Sequence, residues 1–242
     1  MRRLEGKVAL VTGASRGLGF ATAVHLAREG AHVIATARTT GGLEELDDAV
    51  KAAGSTATLV PMDITDFEAI DRLGAALFER WKRLDILIGN AGVLGKMTPI
   101  AHLDPKVWDS AIATNITANY RLVRSMDPLL RQSDGARVAF VTSGVAQKCL
   151  PFWGSYAISK AALDALMKTY AAETESTAIR VNCFSPGATR TKMRATAMPG
   201  EDPAKLPTPE VVSAQLLEMC LPSFTGHGGV WRYDAAGLFR QY

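Results

Sequence analysis

Lys7-Val8-Ala9-Leu10-Val11-Thr12-Gly13-Ala14-Ser15-Arg16-Gly17-Leu18-Gly19 decides the fold. The apolar run over 7–11 is brief, Val-rich and followed at once by glycines, which predicts a buried strand. A helical pattern over 17–29 follows, with Phe20, Val24 and Leu26 among its inward candidates and Gly30 as its stop. Glycine lets the backbone turn tightly and come close to a pyrophosphate. The N-terminus of the helix behind it supplies oriented N–H groups and positive potential. The turn lacks the Gly-Lys-Ser/Thr ending of a P-loop, which argues against ATP or GTP chemistry.

The rhythm continues outward from that turn. Strands are predicted over 31–36, 57–60, 84–88, 137–142, 178–184 and 229–233. Helices are predicted over 43–53, 66–81 with Asp66 as N-cap, 105–131 with a break or bend at Pro128, 154–174 and 209–219. Such alternation implies right-handed crossovers and a doubly wound parallel sheet covered on both faces, the Rossmann-like α/β class, in one domain over residues 1–242. The proline-rich stretch 185–209 has no clear period and is too long for an ordinary connection, so it reads as a substrate lid or else a mobile surface loop.

The 242 residues are 48% hydrophobic and 21% charged, ordinary for a protein with a full core. The net charge of +3 comes from scattered Lys and Arg, without the basic run of a nucleic-acid contact. The apolar run after Met1-Arg2-Arg3 is too short for a signal h-region, and no stretch has the length of a membrane span. Cys149, Cys183 and Cys220 lack metal or redox spacing and read as reduced thiols of a cytoplasmic protein. The four histidines show no ligand spacing, so no metal is expected.

Tyr156 and Lys160 lie four apart in Tyr-Ala-Ile-Ser-Lys, on one face of a predicted helix. A free phenol ionises near about 10, and work as a base near neutrality needs a drop of roughly 2–3 units, which an adjacent ammonium favours. Ser143 follows a strand at the carboxyl edge of the sheet, where ligands of open α/β sheets bind. Its hydroxyl can steady charge developing on a substrate oxygen. At the end of the second strand, Ile34-Ala35-Thr36-Ala37-Arg38 carries no carboxylate to accept from a ribose 2′-OH. Arg38, with Arg16 in the glycine turn, suits a 2′-phosphate, so NADP is expected over NAD.

The Gly-x-x-x-Gly-x-Gly spacing combined with Tyr-x-x-x-Lys resembles the short-chain dehydrogenase/reductase family. The resemblance covers nearly the whole chain and extends to Asn90-Ala91-Gly92, Asn115, Ser143 and Pro186-Gly187, each beside the expected element. It implies an oxidoreductase interconverting a carbonyl and a secondary alcohol. By that resemblance Tyr156 is general acid/base and Ser143 orients the substrate oxygen. Lys160 binds the nicotinamide ribose and lowers the tyrosine pKa, and Asn115 anchors a water in the proton relay. Coenzyme would be held by Gly13, Ser15, Arg16, Gly17, Leu18, Gly19, Arg38, Asp63, Ile64, Asn90, Ala91 and Gly92. Tyr156, Lys160, Pro186, Gly187, Thr189 and Thr191 would complete the site. The family usually has Asn-Asn-Ala-Gly where this chain has Gly89-Asn90-Ala91-Gly92. A homodimer or homotetramer through the helices near 105–131 and 154–174 is implied too. Val145, Phe152, Trp153, Met193 and Met198 could wall an apolar substrate pocket. A catalytically idle redox sensor of the same fold is the alternative, and an intact Ser143, Tyr156 and Lys160 speaks against it.

Overall fold

A strand buried on both faces must satisfy two cores at once, and the central strands divide their side chains accordingly. The computed structural model describes residues 2–241. In β1 (Val8–Thr12), Ala9 and Val11 enter one cluster while Val8 and Leu10 enter the other. The same alternation runs through β2 (His32–Ala37), β4 (Ile86–Gly89) and β5 (Arg137–Val141). Helices α1 (Gly17–Arg28) and α2 (Thr40–Ala52) cover the first face, together with α9 (Pro209–Glu218). Helices α3 (Phe67–Trp81), α5 (Ala118–Leu130) and α7 (Gly154–Glu173) cover the second.

With β3 (Ala57–Pro61), β6 (Arg180–Ser185), β7 (Val230–Arg232) and β8 (Phe239–Arg240), the strand order is β3-β2-β1-β4-β5-β6-β7-β8. Every pairing is parallel except β7 with β8. The order reverses between β1 and β4, so the crevice for a ligand lies beyond the carboxyl ends of those strands.

Three local features depart from the sequence pattern. The long helix does not break at Pro128, which lies exposed inside α5 two residues before its end. It breaks at a five-residue π-turn, Ala113–Thr117, after α4 (Pro105–Ile112). The Asn119 side chain donates to the Asn115 carbonyl at 2.9 Å, an acceptor that a regular α-helix would give to a backbone N–H. Ser143 is followed by one further turn, α6 (Val145–Lys148). The stretch 185–209 is not structureless: it holds α8 (Lys192–Ala197) and a 3₁₀ turn at Pro203–Lys205. The Thr191 hydroxyl caps α8, and the Arg194 guanidinium grips Glu201 through two bonds of 2.5 and 2.7 Å.

Candidate active site

The glycine turn is a cradle that side chains would fill. Gly13 and Gly17 hold φ of 65° and 59°, in the left-handed region that favours glycine. A Cβ on Gly13 would stand 2.9 Å from the Ala91 backbone, and one on Gly17 would meet the Thr191 methyl at 3.6 Å. The turn therefore packs between the end of β4 and the start of the 186–207 excursion. Thr12 and Asn90 lace that junction. The Thr12 hydroxyl accepts from the N–H groups of Asn90 and Ala91, both at 3.0 Å, and donates to the Ile88 carbonyl. The Asn90 amide donates to the carbonyls of Thr12 and Gly13 at 2.8 and 3.2 Å. Thr12 is a brace that sequence reasoning missed; its only signal was a hydroxyl at the end of an apolar strand.

Gly89 explains the departure from Asn-Asn-Ala-Gly. A Cβ there would stand 2.5 Å from both the Asn119 side-chain oxygen and the Phe140 ring. Asn119 and Phe140 already occupy the space a side chain at 89 needs.

Arg38 and Arg16 are exposed at the carboxyl edge of the sheet. Arg38 faces Asp63 at 3.9 Å, too long for a strong pair. Asp63 commits one oxygen to the N–H and hydroxyl of Thr65, and Ile64 is buried in the second core. Those Thr65 bonds and Arg38 hold the Asp63 carboxyl below its usual range, outweighing the opposing effect of burial. Ser15 packs against Gly42 at the start of α2, and Leu18 and Gly19 are buried at the start of α1. Beyond β6, Pro186 is partly exposed and Gly187 exposed; Thr189 is buried and donates to the Pro186 carbonyl at 3.1 Å.

Asn115 sits at the centre of the π-turn. Its side chain accepts from the Val93 N–H at 2.8 Å and donates to the Val93 carbonyl and the Ser159 hydroxyl, both at 2.9 Å. Ser159 in turn donates to the Tyr156 carbonyl. The bend thus ties the Gly92 loop to α7. A Cβ on Gly92 would lie 3.2 Å from the Asn115 oxygen and 3.5 Å from the Lys160 ammonium, so a side chain there would crowd both. Ser159 also went unnoticed in sequence, hidden between two residues with stronger signals.

The Ser143 side chain lies near enough to the Tyr156 hydroxyl to favour its ionisation. Lys160 is buried, donates to the Val141 carbonyl at 2.7 Å, and stands 5.8 Å from the Tyr156 ring centre. The proton affinities differ from the expectation. Burial pushes the Tyr156 phenol up to about 12 against the pull of Ser143. Burial also pushes the Lys160 ammonium down to about 8, against Cys183 and Asp164. The chain's own groups therefore do not acidify the phenol on balance, because desolvation of the tyrosinate outweighs the pull of Ser143.

Apolar surface flanks the crevice in sequence. Phe152, Met193 and Met198 are exposed, Val145 is partly so, and Trp153 lies 6.1 Å from the Tyr156 ring. Leu150 and Ile100, not anticipated, are exposed as well, and Ile100 carbons lie 3.5 Å from where a Gly154 Cβ would stand. Phe152 holds φ at 72°, unusual for a bulky residue, and its carbonyl accepts from the Thr98 N–H. Among the described residues, no group of three or more His, Cys, Asp or Glu side chains could hold a metal ion. No helix among them is long and apolar enough to cross a membrane.

The family model for short chain dehydrogenase matches residues 7–202. The Escherichia coli oxidoreductase YciK is 36% identical over 209 residues, 85% of this chain and 82% of that protein. An NAD-dependent oxidoreductase of Mycobacterium tuberculosis is 37% identical over 204 residues, 78% of this chain and 74% of that protein. The crystal structure of an Escherichia coli short chain dehydrogenase complexed with NADPH superposes with a TM-score of 0.92. It is 34% identical and covers 96% of this chain and 98% of that one. The chain belongs to the short-chain dehydrogenase/reductase family and is an NAD(P)-dependent oxidoreductase of that class.

Proposed function

We propose that this chain is an NADP(H)-dependent oxidoreductase that interconverts a carbonyl and a secondary alcohol, with Tyr156 as its general acid and base. The observation that carries the reading is the convergence of Ser143, just beyond β5, with Tyr156 and the buried Lys160 one helical turn apart on α7. The residues present suit the coenzyme: the glycine turn opens α1 beyond the carboxyl end of β1, where helix N–H groups would meet a pyrophosphate, and Arg38 and Arg16 are exposed, as a 2′-phosphate would need. The relative complexed with NADPH supports this choice, and the NAD-dependent one counts against it. A bound nicotinamide would supply or take the hydride.

The protein's part is to hold and move a proton. Tyr156, protonated near neutrality, donates to a carbonyl oxygen as that oxygen gains charge. The Ser143 hydroxyl donates to the same oxygen and lowers the cost of the developing charge. Lys160 holds the ribose and, as an ammonium, favours the tyrosinate left behind. Proton return runs toward Asn115, beside Gly92. In the opposite direction the tyrosinate takes the alcohol proton.

The segment 185–209 serves as a lid over this site, its α8 pinned by Arg194 and Glu201. The exposed Phe152, Met193 and Met198 fit a medium-sized substrate with an apolar body. A panel of ketones, aldehydes and alcohols, followed at the nicotinamide absorbance with both coenzymes, tests this. Turnover of apolar carbonyls with NADPH is expected; turnover confined to compact polyanions would refute the substrate class. Coenzyme binding without turnover, and indifference to Tyr156→Phe, would point instead to a redox sensor.

A further inference from the structure

Tyr156, Lys160, Asp164 and Lys168 recur at every fourth position of α7. Residues so spaced share one face of a helix, with Cβ atoms about 5–6 Å apart. Lys160 is 3% exposed and Asp164 6%; the other buried charged residue among those described, Asp85, belongs to a separate cluster with Lys7, Arg83 and Ser133. A buried ammonium is costly unless an opposite charge answers it. The hydrogen bond of Lys160 goes to a neutral acceptor, the Val141 carbonyl of β5.

The groups around Lys160 leave one source of negative charge. From β6, the Cys183 thiol hydrogen-bonds Asp164 and is pushed by burial well above its usual range, so it carries no charge near neutrality. Tyr156 stays protonated there. From the π-turn, the neutral Asn115 amide meets the same point as the Lys160 ammonium: a Cβ on Gly92 would stand 3.2 Å from one and 3.5 Å from the other. Lys168, exposed one turn further along, is a second cation whose field reaches Cys183. The remaining anion is the Asp164 carboxylate.

We propose that Asp164 is a positioning residue for the hydride-transfer site: its carboxylate, one turn behind Lys160, keeps that side chain a charged ammonium at the coenzyme crevice. The inference rests on the reading that Lys160 serves coenzyme and Tyr156. It assigns a task to a residue that touches neither substrate nor coenzyme.

The test is NADPH affinity, read by fluorescence titration from pH 6.5 to 9.5, beside thermal melts that report folding. In the wild-type protein affinity falls about tenfold as Lys160 loses its proton, with a midpoint near the value of about 8 that burial imposes. Lys160→Met abolishes that pH dependence, which assigns it. Isosteric Asp164→Asn moves the midpoint down by about one unit, because an unlike charge at this range is worth that much or more. Asp164→Ser, smaller and easier to accommodate, moves it the same way should the amide fail to fold. A midpoint unchanged in a folded Asp164 variant, or one that persists in Lys160→Met, overturns the proposal. The functional reading stands or falls separately, on whether Tyr156→Phe loses turnover.

Discussion

With its phenol pushed up to about 12, Tyr156 holds its proton near neutrality and suits donation to a carbonyl oxygen. Ser143 is the hydroxyl it meets. Ser143→Ala should therefore lower kcat by roughly 10²–10³ with little change in KM, the signature of a donor that counts in the transition state. An equal rise in KM with kcat intact would make Ser143 a ground-state contact only. The proposed reading assigns coenzyme choice to Arg38, which has a long contact to Asp63. Arg38→Glu should cut the NADPH-over-NADH preference in kcat/KM by about tenfold or more, since a charge-assisted phosphate bond is lost and a repulsion added. A preference that survives the exchange defeats the argument. Ser143 and Arg38 were readable as candidates in sequence because each follows the end of a predicted strand, and Tyr156 because Lys160 stands four residues on in a helical pattern. The direction of the Tyr156 shift was not, because desolvation depends on what packs around the ring.

Among the elements, β1, the glycine turn and α1 could be read directly, since an apolar run, glycines and a helical period follow one another without ambiguity. The π-turn at Ala113–Thr117 could not. Its cause is tertiary: Asn115 turns to Val93 and Ser159, and Asn119 takes the freed carbonyl. Pro128 drew attention instead, yet it lies exposed two residues before the end of α5, and the helix runs past it without breaking. Helix α6, of four residues, and strand β8, of two, are too short to carry a period. Gly89 belongs to the same junction as the π-turn. Gly89→Ala forces a methyl against Asn119 and Phe140 and should cost about 1–3 kcal/mol, seen as a lower midpoint in denaturant unfolding. A loss under about 0.5 kcal/mol would mean that Asn119 moves aside freely.

Across the whole molecule, the two edges of the sheet have different tasks. The carboxyl edge carries the crevice. The amino edge is tied by Asp85, which accepts from Ser133 at 2.7 Å, Val8 N–H at 3.0 Å, Lys7 at 3.1 Å and Arg83 at 3.2 Å. Burial raises the Asp85 carboxyl and these donors lower it, with the net shift downward. A carboxylate with a depressed folded-state pKa contributes stability above its unfolded value, near about 4, and loses it as pH falls through the folded one. Asp85→Asn should thus cost about 2–3 kcal/mol at pH 7, and the gap to wild type should close below about pH 4 in unfolding titrations. A gap independent of pH would remove the charge from the account. Asp85 was invisible in sequence, because its partners converge from residues 7, 8, 83 and 133 only once the sheet forms. The sheet itself was legible, since its strands and helices alternate in chain order.

The most direct test of the proton-relay site compares wild type with Tyr156→Phe on one ketone or aldehyde from the panel, following NADPH consumption under saturating coenzyme. Wild type turns over and the phenylalanine variant, with coenzyme affinity retained, falls by about 10²–10⁴. Equal rates in the two proteins would contradict the account.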